Sequence, residues 1–369
     1  MIISSITLKN FRNYKDSEFV FDPLLNILVG KNGVGKTNVL EACYLMAHGK
    51  SWRTRYDFEL INFNKNTANL ISKVNGDTLF IGLTRTGNRR TKKLFKVNGI
   101  SRSSNTLATF AKAVIFSPQD LDIIIGSPTY RRNYLDDTLS QINIEYKKKL
   151  TSLKKVVRNR NKLLERINEG LSGYSELDYW NKLLIEDSTY VHKKRKDLIV
   201  YVNGFLSKEY SPISNSSASV LVKYDHSIAS NERLEMYKSA EIGSKRTLVG
   251  AHKDDLQINV NKGDVVPKHN DEYDFYDKGD DFSNSRYFAS RGEQRTLVFA
   301  LKLASLSYIQ LKIKTGIILL LDDIYSELDE FHRKAISTYF KNNQVIVTTA
   351  EKNLVPKSVY NKGRVFELI

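Results

Sequence analysis

The amino-acid sequence predicts an α/β fold in which both ends of the chain, residues 1–128 and 241–369, build one sheet-based lobe and residues 129–240 form an inserted helical lobe. Three observations predict it. An apolar run, Leu24–Val29, ends in a glycine-rich loop that opens a helical stretch. Hydrophobic residues recur at three- and four-residue steps between Tyr130 and Phe205. Ile317–Leu321 is a continuous apolar run of strand length that finishes on two aspartates.

The opening reads as β-structure: Ile2–Leu8 partly alternates, Phe19–Phe21 follows, and Leu24–Val29 is a short buried strand. After Gly30 the spacing of Asn38–Met46 is that of an amphipathic helix. Residues 66–117 are β-rich, with turns at Asn75-Gly76, Gly87-Asn88 and Asn98-Gly99. Leu135, Leu139, Ile142, Tyr146, Leu150 and their successors to Ile167 form the seam of one long helix. Gly170–Gly173 breaks it, and Leu177 to Phe205 resumes the period, so the two helices are expected antiparallel. They read as a projecting arm or as a pair of ordinary core helices. The first carries Lys147–Lys149, Lys154, Lys155, Arg158, Arg160, Lys162 and Arg166 against Glu145, Glu165 and Glu169. That run is either a solvated face or a surface for phosphates. Residues 211–219 are a serine-rich linker or turn, and Asn270–Ser285 is a surface loop. Its aspartates lack the glycine and terminal glutamate of a calcium-binding loop. Gln294–Gln310 is helical, and Gly316–Leu321 and Gln344–Thr349 are buried strands.

Fifty-seven Lys and Arg against forty-one Asp and Glu leave a formal charge of +16, which favours a polyanionic partner. The one cysteine, Cys43, lies in an apolar helical stretch and reads as a packed thiol in a reducing cytosol. No leader pattern opens the chain, and no apolar run reaches the roughly 18–20 residues needed to span a bilayer, so a cytoplasmic protein without a membrane partner is expected. His48, His192, His226, His269 and His332 show no metal-ligand spacing.

Gly30-Lys31-Asn32-Gly33-Val34-Gly35-Lys36-Thr37 fits the P-loop pattern between an apolar strand and a helix. Its glycines let backbone N–H groups face inward as an anion nest at the positive end of the helix dipole. Lys36 can reach the β- and γ-phosphates, and Thr37 can ligate Mg2+. The strand ending in Asp322-Asp323 supplies a metal-side carboxylate, Asp322, and a group that can polarise an attacking water, Asp323. Acids that end a strand are common by themselves; the accompanying P-loop decides the reading here. Ser290-Arg291-Gly292-Glu293-Gln294-Arg295 opens a helix and makes a second phosphate-binding surface, best explained if it meets the nucleotide of another copy. Alone, it reads as an ordinary capped helix.

The order P-loop, helical insert, S-x-G-x-Q and apolar strand with paired aspartates resembles the ABC-type ATPases of the SMC class. More closely, the chain resembles the RecF family of bacterial recombination mediators. The residues that carry this are Leu8–Tyr14, Gly30–Glu41, Gly49–Thr54, Ser117–Leu121 with Gly126–Pro128 and Arg131-Arg132, Gly250–Leu256 and Leu320–Asp329. The resemblance implies a P-loop ABC-type head, lobe I, with an inserted helical arm, lobe II. It implies that Arg12 approaches the phosphates, that Gln119 touches Mg2+ and the attacking water, and that Ser290 and Gly292 engage the γ-phosphate across a dimer whose interface Asp329 closes. Glu293 replaces a glutamine of the family pattern, Asp323 stands where many ABC proteins have glutamate, and Thr348-Thr349 stands where transporters place a switch histidine.

The function so implied is recombinational DNA repair, with links to replication restart and SOS induction. ATP with Mg2+ joins two copies into a homodimer that clamps DNA at single-strand gaps and junctions, and slow, DNA-stimulated hydrolysis releases it. RecR and RecO are the implied partners, and recombinase loading the outcome. The alternatives are a structural chromosome ATPase of the SMC type, whose arms are far longer than the insert here, and the ATPase subunit of a transporter.

Overall fold

The computed structural model describes residues 2–54, 56–261, 283–313, 316–327, 330–341, 343–352, 355, 360 and 363–368. The chain divides into two compact units, residues 1–120 with 309–369, and residues 121–308. The fold class is the expected one, an α/β P-loop ATPase head with an inserted helical arm.

The first unit has two sheets among its described residues. A six-stranded antiparallel sheet runs through Ile3–Phe11, Tyr14–Val20, Thr67–Val74, Asp77–Arg85, Thr91–Val97 and Ile100–Arg102. Its hairpins turn at Asn75-Gly76 and Asn98-Gly99, where all four residues hold positive φ, as tight two-residue hairpin turns demand. The second sheet is parallel, in the order Arg364–Glu367, Leu25–Val29, Gln344–Thr349, Ile318–Leu321, Ala113–Phe116. Its three central strands are wholly buried and mainly apolar, the mark of a sheet covered on both faces.

The helix Lys36–His48 follows the glycine-rich loop. Expected to be amphipathic, it has eleven of its thirteen residues buried. Val39, Leu40, Cys43, Tyr44 and Met46 share one core with side chains of both sheets. A helix enclosed by two sheets has no solvent face to keep polar. Cys43 is buried there and its thiol is pushed up by burial, as a packed rather than a reactive thiol should be.

The second unit holds the helices Pro128–Ile142, Ile144–Asn168 and Asp178–Ser214. The single helix expected over Leu135–Ile167 is thus two. Asn143 leaves the helical region and its side chain accepts from the Tyr146 N–H, capping the second helix. The break at Gly170 stands as expected, with φ 72. The serine-rich stretch at 211–219 ends the long helix at Ser214, turns through Asn215 and begins a strand, Ser219–Asp225. That strand pairs antiparallel with Asp255–Asn261, which pairs in turn with Ser283–Asn284. These pairings draw residues 241–308 into the helical unit, whereas the lobe boundaries expected from sequence lie at 128/129 and 240/241. The loop expected at Asn270–Ser285 lies largely outside the described residues. Among the described residues no helix is long and apolar enough to cross a membrane, and no group of three or more His, Cys, Asp or Glu side chains is placed to hold a metal.

Candidate functional site

In the parallel sheet the carboxyl ends of the strands lie in register: Val29 beside Thr349, Val347 beside Leu321, Leu321 beside Phe116. Each of these ends carries residues singled out by sequence. Gly30–Thr37 follows Leu25–Val29, Asp322-Asp323 follows Ile318–Leu321, Thr348-Thr349 closes the strand between them, and Gln119 lies just beyond Ala113–Phe116. Parallel sheets bind ligands at this edge because loops and helix N-termini gather there.

The loop has the backbone its function needs. Gly33 and Gly35 hold φ 89 and 111, in the left-handed region that side chains disfavour. A Cβ on Gly35 would also lie 2.6 Å from the Asn13 amide nitrogen and 2.8 Å from the Tyr14 hydroxyl. The turn of the first hairpin is therefore seated on the loop. Asn13 Nδ2 donates to the Val34 carbonyl at 3.0 Å, and Asn38 donates to Asn13 Oδ1 at 2.8 Å. Lys36 is buried, its ammonium donating to the carbonyls of Gly30 and Lys31 at 2.6 and 3.0 Å. Burial pulls its pKa down; the carboxylates of Asp323 and Asp322 pull it back up.

Thr37 Oγ1 donates to Asp322 Oδ1 at 2.7 Å, joining residues 285 apart in sequence. The Thr348 hydroxyl donates to the same oxygen at 2.9 Å and accepts from the Asp323 N–H at 2.9 Å. Burial pushes the Asp322 carboxyl above its usual range, opposed by the two threonine hydrogen bonds and by Arg53, and reinforced by Asp323. Asp323 has φ 50, a strained conformation for a residue with a side chain. The Thr348 bond to its N–H and the Ser326 hydroxyl on its carbonyl, at 2.7 Å, hold that conformation. Asp323 Oδ1 is buried with no hydrogen-bond partner among the described residues. A threonine hydroxyl and two adjoining carboxylates, one of them with an unmatched oxygen, form the hard-oxygen donor set that suits Mg2+. The residues present fit a nucleotide with its metal.

Arg12 is placed otherwise than by direct exposure to the loop. With φ 52, its guanidinium grips the fully buried Glu41 of the P-loop helix with two bonds of 2.8 Å and donates to the Glu59 carbonyl at 2.8 Å. Glu41 also accepts from Ser51, and Arg53 lies within 3.5 Å of it while donating to Asn38 at 2.8 Å. Gln119 is exposed, in the short 3-10 helix Pro118–Leu121 that follows the strand. Asn13, Glu41, Arg53 and Thr348 carry no role in the sequence reading. A signal for the first three exists in the P-loop's extended neighbourhood, but the pairings join distant segments and no spacing rule exposes them.

Ser290 and Gly292 belong to the second unit. Ser290 caps the helix Arg291–Lys312: its hydroxyl accepts from the Glu293 N–H at 3.3 Å, and the Glu293 carboxylate accepts from the Ser290 N–H at 2.7 Å. Glu293, the departure from the family pattern, thus completes a capping box. Gln294 Nε2 donates to the carbonyls of Ser285, Arg286 and Ala289 at 3.2–3.4 Å, fastening the preceding turn. Apart from its chain neighbours and its own helix backbone, nothing among the described residues lies within 4 Å of where a Cβ on Gly292 would sit. Asp329 lies outside the described residues.

The charged arm divides once folded. Arg160 is fully buried and pairs with Glu241 at 2.6 Å, and Lys149 pairs with Glu186 and Asp187, so neither is free for phosphates. Lys148, Lys154, Lys155, Arg158, Lys162 and Arg166 remain exposed.

Comparison with known proteins agrees with this architecture. The family described as RecF/RecN/SMC N terminal domain matches residues 2–367. The DNA replication and repair protein RecF of Clostridioides difficile (strain 630) is 32% identical over 373 residues, covering 95% of this chain and 92% of its own. That of Heliobacterium modesticaldum (strain ATCC 51547 / Ice1) is 33% identical over 369 residues, with 95% and 92% covered. Among solved structures, the recombination mediator protein RecF with ATP, in the RecFOR pathway, superimposes with a TM-score of 0.82 at 28% identity, covering 95% of this chain and 92% of that one. An Smc head bound to the C-winged helix domain of ScpA shares the fold, with a TM-score of 0.51 at 16% identity over 96% of this chain and 91% of that one. A nucleotide-binding P-loop head whose landmarks run in the same order over nearly the whole chain places this protein in the RecF family.

Proposed function

We propose that the protein is an ATP-gated DNA clamp of recombinational repair, in which ATP and Mg2+ join two copies around DNA and hydrolysis lets them part. The observation that carries the reading is the 2.7 Å bond between Thr37 and Asp322, which sets the phosphate-binding loop beside the acid pair. Backbone N–H groups of Gly30–Thr37 bind the phosphates, and Lys36 neutralises their charge. Thr37, Asp322 and Gln119 hold Mg2+, which when bound offsets charge on the phosphates. Asp323, with its unmatched carboxylate oxygen, orients the attacking water, and its short side chain suits a slow switch. Arg12 serves the phosphate side through Glu41, and Arg53, whose charge already acts on Asp322, joins it.

Ser290 and Gly292 receive the γ-phosphate of the second copy. The open space over Gly292 supports this, since the described fold gives no packing reason for a glycine there. DNA is held through the formal charge of +16 and the exposed cations of the helix Ile144–Asn168. RecR and RecO are the partners, and gapped DNA the substrate.

The test is analytical sizing with and without ATP and Mg2+, repeated with a gapped duplex. Dimer formation that requires ATP, is lost in Lys36→Ala and persists in Asp323→Asn is the expected result. A protein that stays monomeric in saturating nucleotide and metal with DNA present overturns the clamp.

A further inference from the structure

The second unit contains a cavity of about 520 Å³ that the P-loop chemistry does not use. Its size falls within the range of small-molecule sites. Leu150, Leu153 and Val157, successive inward positions of the helix Ile144–Asn168, supply apolar lining, and Lys154 and Arg158 of the same helix add two cations one turn apart. Arg132 reaches the cavity from the helix Pro128–Ile142.

Its two helix cations, Lys154 and Arg158, stand without ion-pair partners among the described residues. Arg132 donates to the Asp254 carbonyl at 2.7 Å and the Thr129 hydroxyl at 3.1 Å, both neutral acceptors. Its pKa is pulled down by burial and by the neighbouring Arg195, against the opposing pull of Asp255, Asp136 and Asp254. The lining carboxylate, Asp136, is already engaged by Arg195 at 2.8 Å and by the Tyr146 hydroxyl. His252 also lines the cavity; its Nε2–H donates to the Thr247 carbonyl at 3.1 Å, and burial keeps the ring neutral. Two exposed cations without an ion pair, Lys154 and Arg158, stand with Arg132 beside an apolar surface, and that combination suits a phosphate ester that carries a flat, weakly polar group.

We propose that this cavity is a second nucleotide site, which takes a nucleoside monophosphate with its phosphate on Arg132, Lys154 and Arg158 and its base against Leu150, Leu153 and Val157. The same chemistry arrives from two sources, a free mononucleotide or the phosphorylated terminus of a DNA strand. The site is independent of the P-loop and of dimer formation.

The test is calorimetric titration of the full-length protein with thymidine 5′-monophosphate, which lacks the β- and γ-phosphates a P-loop grips. A short single-stranded oligonucleotide, with and without a 5′-phosphate, is titrated alongside. Lys154→Gln/Arg158→Gln, both exposed in the fold, should weaken binding about tenfold or more, as loss of charge-assisted contacts does. Lys148→Gln/Lys155→Gln removes the same charge from exposed positions of the same helix outside the cavity and should leave thymidine monophosphate binding within about twofold; melting temperatures show whether both doubles fold. Lys36→Ala should also leave thymidine monophosphate binding unchanged. Binding of the mononucleotide marks the free-nucleotide source, and tighter binding of the phosphorylated oligonucleotide than the hydroxyl form marks the strand end; either supports the site. Equal losses of thymidine monophosphate affinity in the two double variants, or no response to the mononucleotide with no preference for the terminal phosphate, overturns it.

Discussion

Thr348 offers the sharpest test of how the site is held together. It is fully buried at the end of the strand Gln344–Thr349, and its hydroxyl donates to Asp322 while accepting from the Asp323 N–H, both at 2.9 Å. Thr348→Val keeps the side-chain shape but removes both bonds. A bond to a charged acceptor contributes about 1.5–3 kcal/mol, and an N–H left without its acceptor costs about 1–3 kcal/mol. Allowing for overlap, the variant should lose about 3–5 kcal/mol. Thr348→Ser keeps the hydroxyl and loses one buried methyl, a cost of about 1 kcal/mol. The order wild type, Ser, Val is therefore expected, whereas packing alone places Val above Ser. The chain has two tryptophans, Trp52 in the first unit and Trp180 in the second. In a Trp180→Phe background, urea unfolding followed by fluorescence reads the first unit alone. Losing a donor also pushes the Asp322 carboxyl further up, so Mg·ATP affinity should fall in the Val variant and hold in the Ser variant. A Val variant as stable as wild type, or more stable than Ser, refutes the account of this network.

Three further outcomes follow from the same geometry. Asp322→Asn removes a charge that burial disfavours, and its Oδ1 can still accept from Thr37 and Thr348. Because the folded carboxyl titrates above its ordinary value of 3.8, wild type loses stability as pH rises through the raised folded value; at neutral pH the variant should therefore melt higher than wild type without nucleotide, the gap closing below about pH 4, while Mg·ATP binding is lost. Glu241→Gln strands the Arg160 guanidinium in a site where both side chains are essentially inaccessible, which should cost the helical unit about 3–5 kcal/mol. Trp180, which packs beside Leu163, Leu164 and Leu177, reports this in a Trp52→Phe background, and an unchanged urea midpoint contradicts it. His252 is held neutral by burial, its pKa down from 6.5 to about 4, so stability is full above pH 6.5 and falls as pH drops towards 4, by about 3 kcal/mol. His252→Asn should flatten the pH dependence of the melting temperature across that window, and an unaltered slope rules His252 out as its source.

By itself the sequence determined the class of the protein and the local parts of its site. Gly30–Thr37 between an apolar strand and a helix, and Ile317–Leu321 ending on two aspartates, are covalently local patterns, and the structure forms them where they stand. The turns at Asn75-Gly76 and Asn98-Gly99 were legible for the same reason, since positive φ is a property of the residue. The alternations Val220-Val222-Tyr224 and Leu256-Ile258-Val260 also carry the period of strands, but they lie on opposite sides of the expected 240/241 boundary and only their pairing joins them. Only the tertiary structure decided which charges of the arm face water and which, like Arg160, are buried against a partner 81 residues away. It alone showed that the Arg12–Tyr14 turn braces the P-loop, that Thr348 ties Asp322 to the Asp323 backbone, and that Glu293 closes a helix cap. Hydrogen bonds and ion pairs are formed by proximity in space. Residues far apart in the chain reveal those partnerships only once packing has set the distance between them.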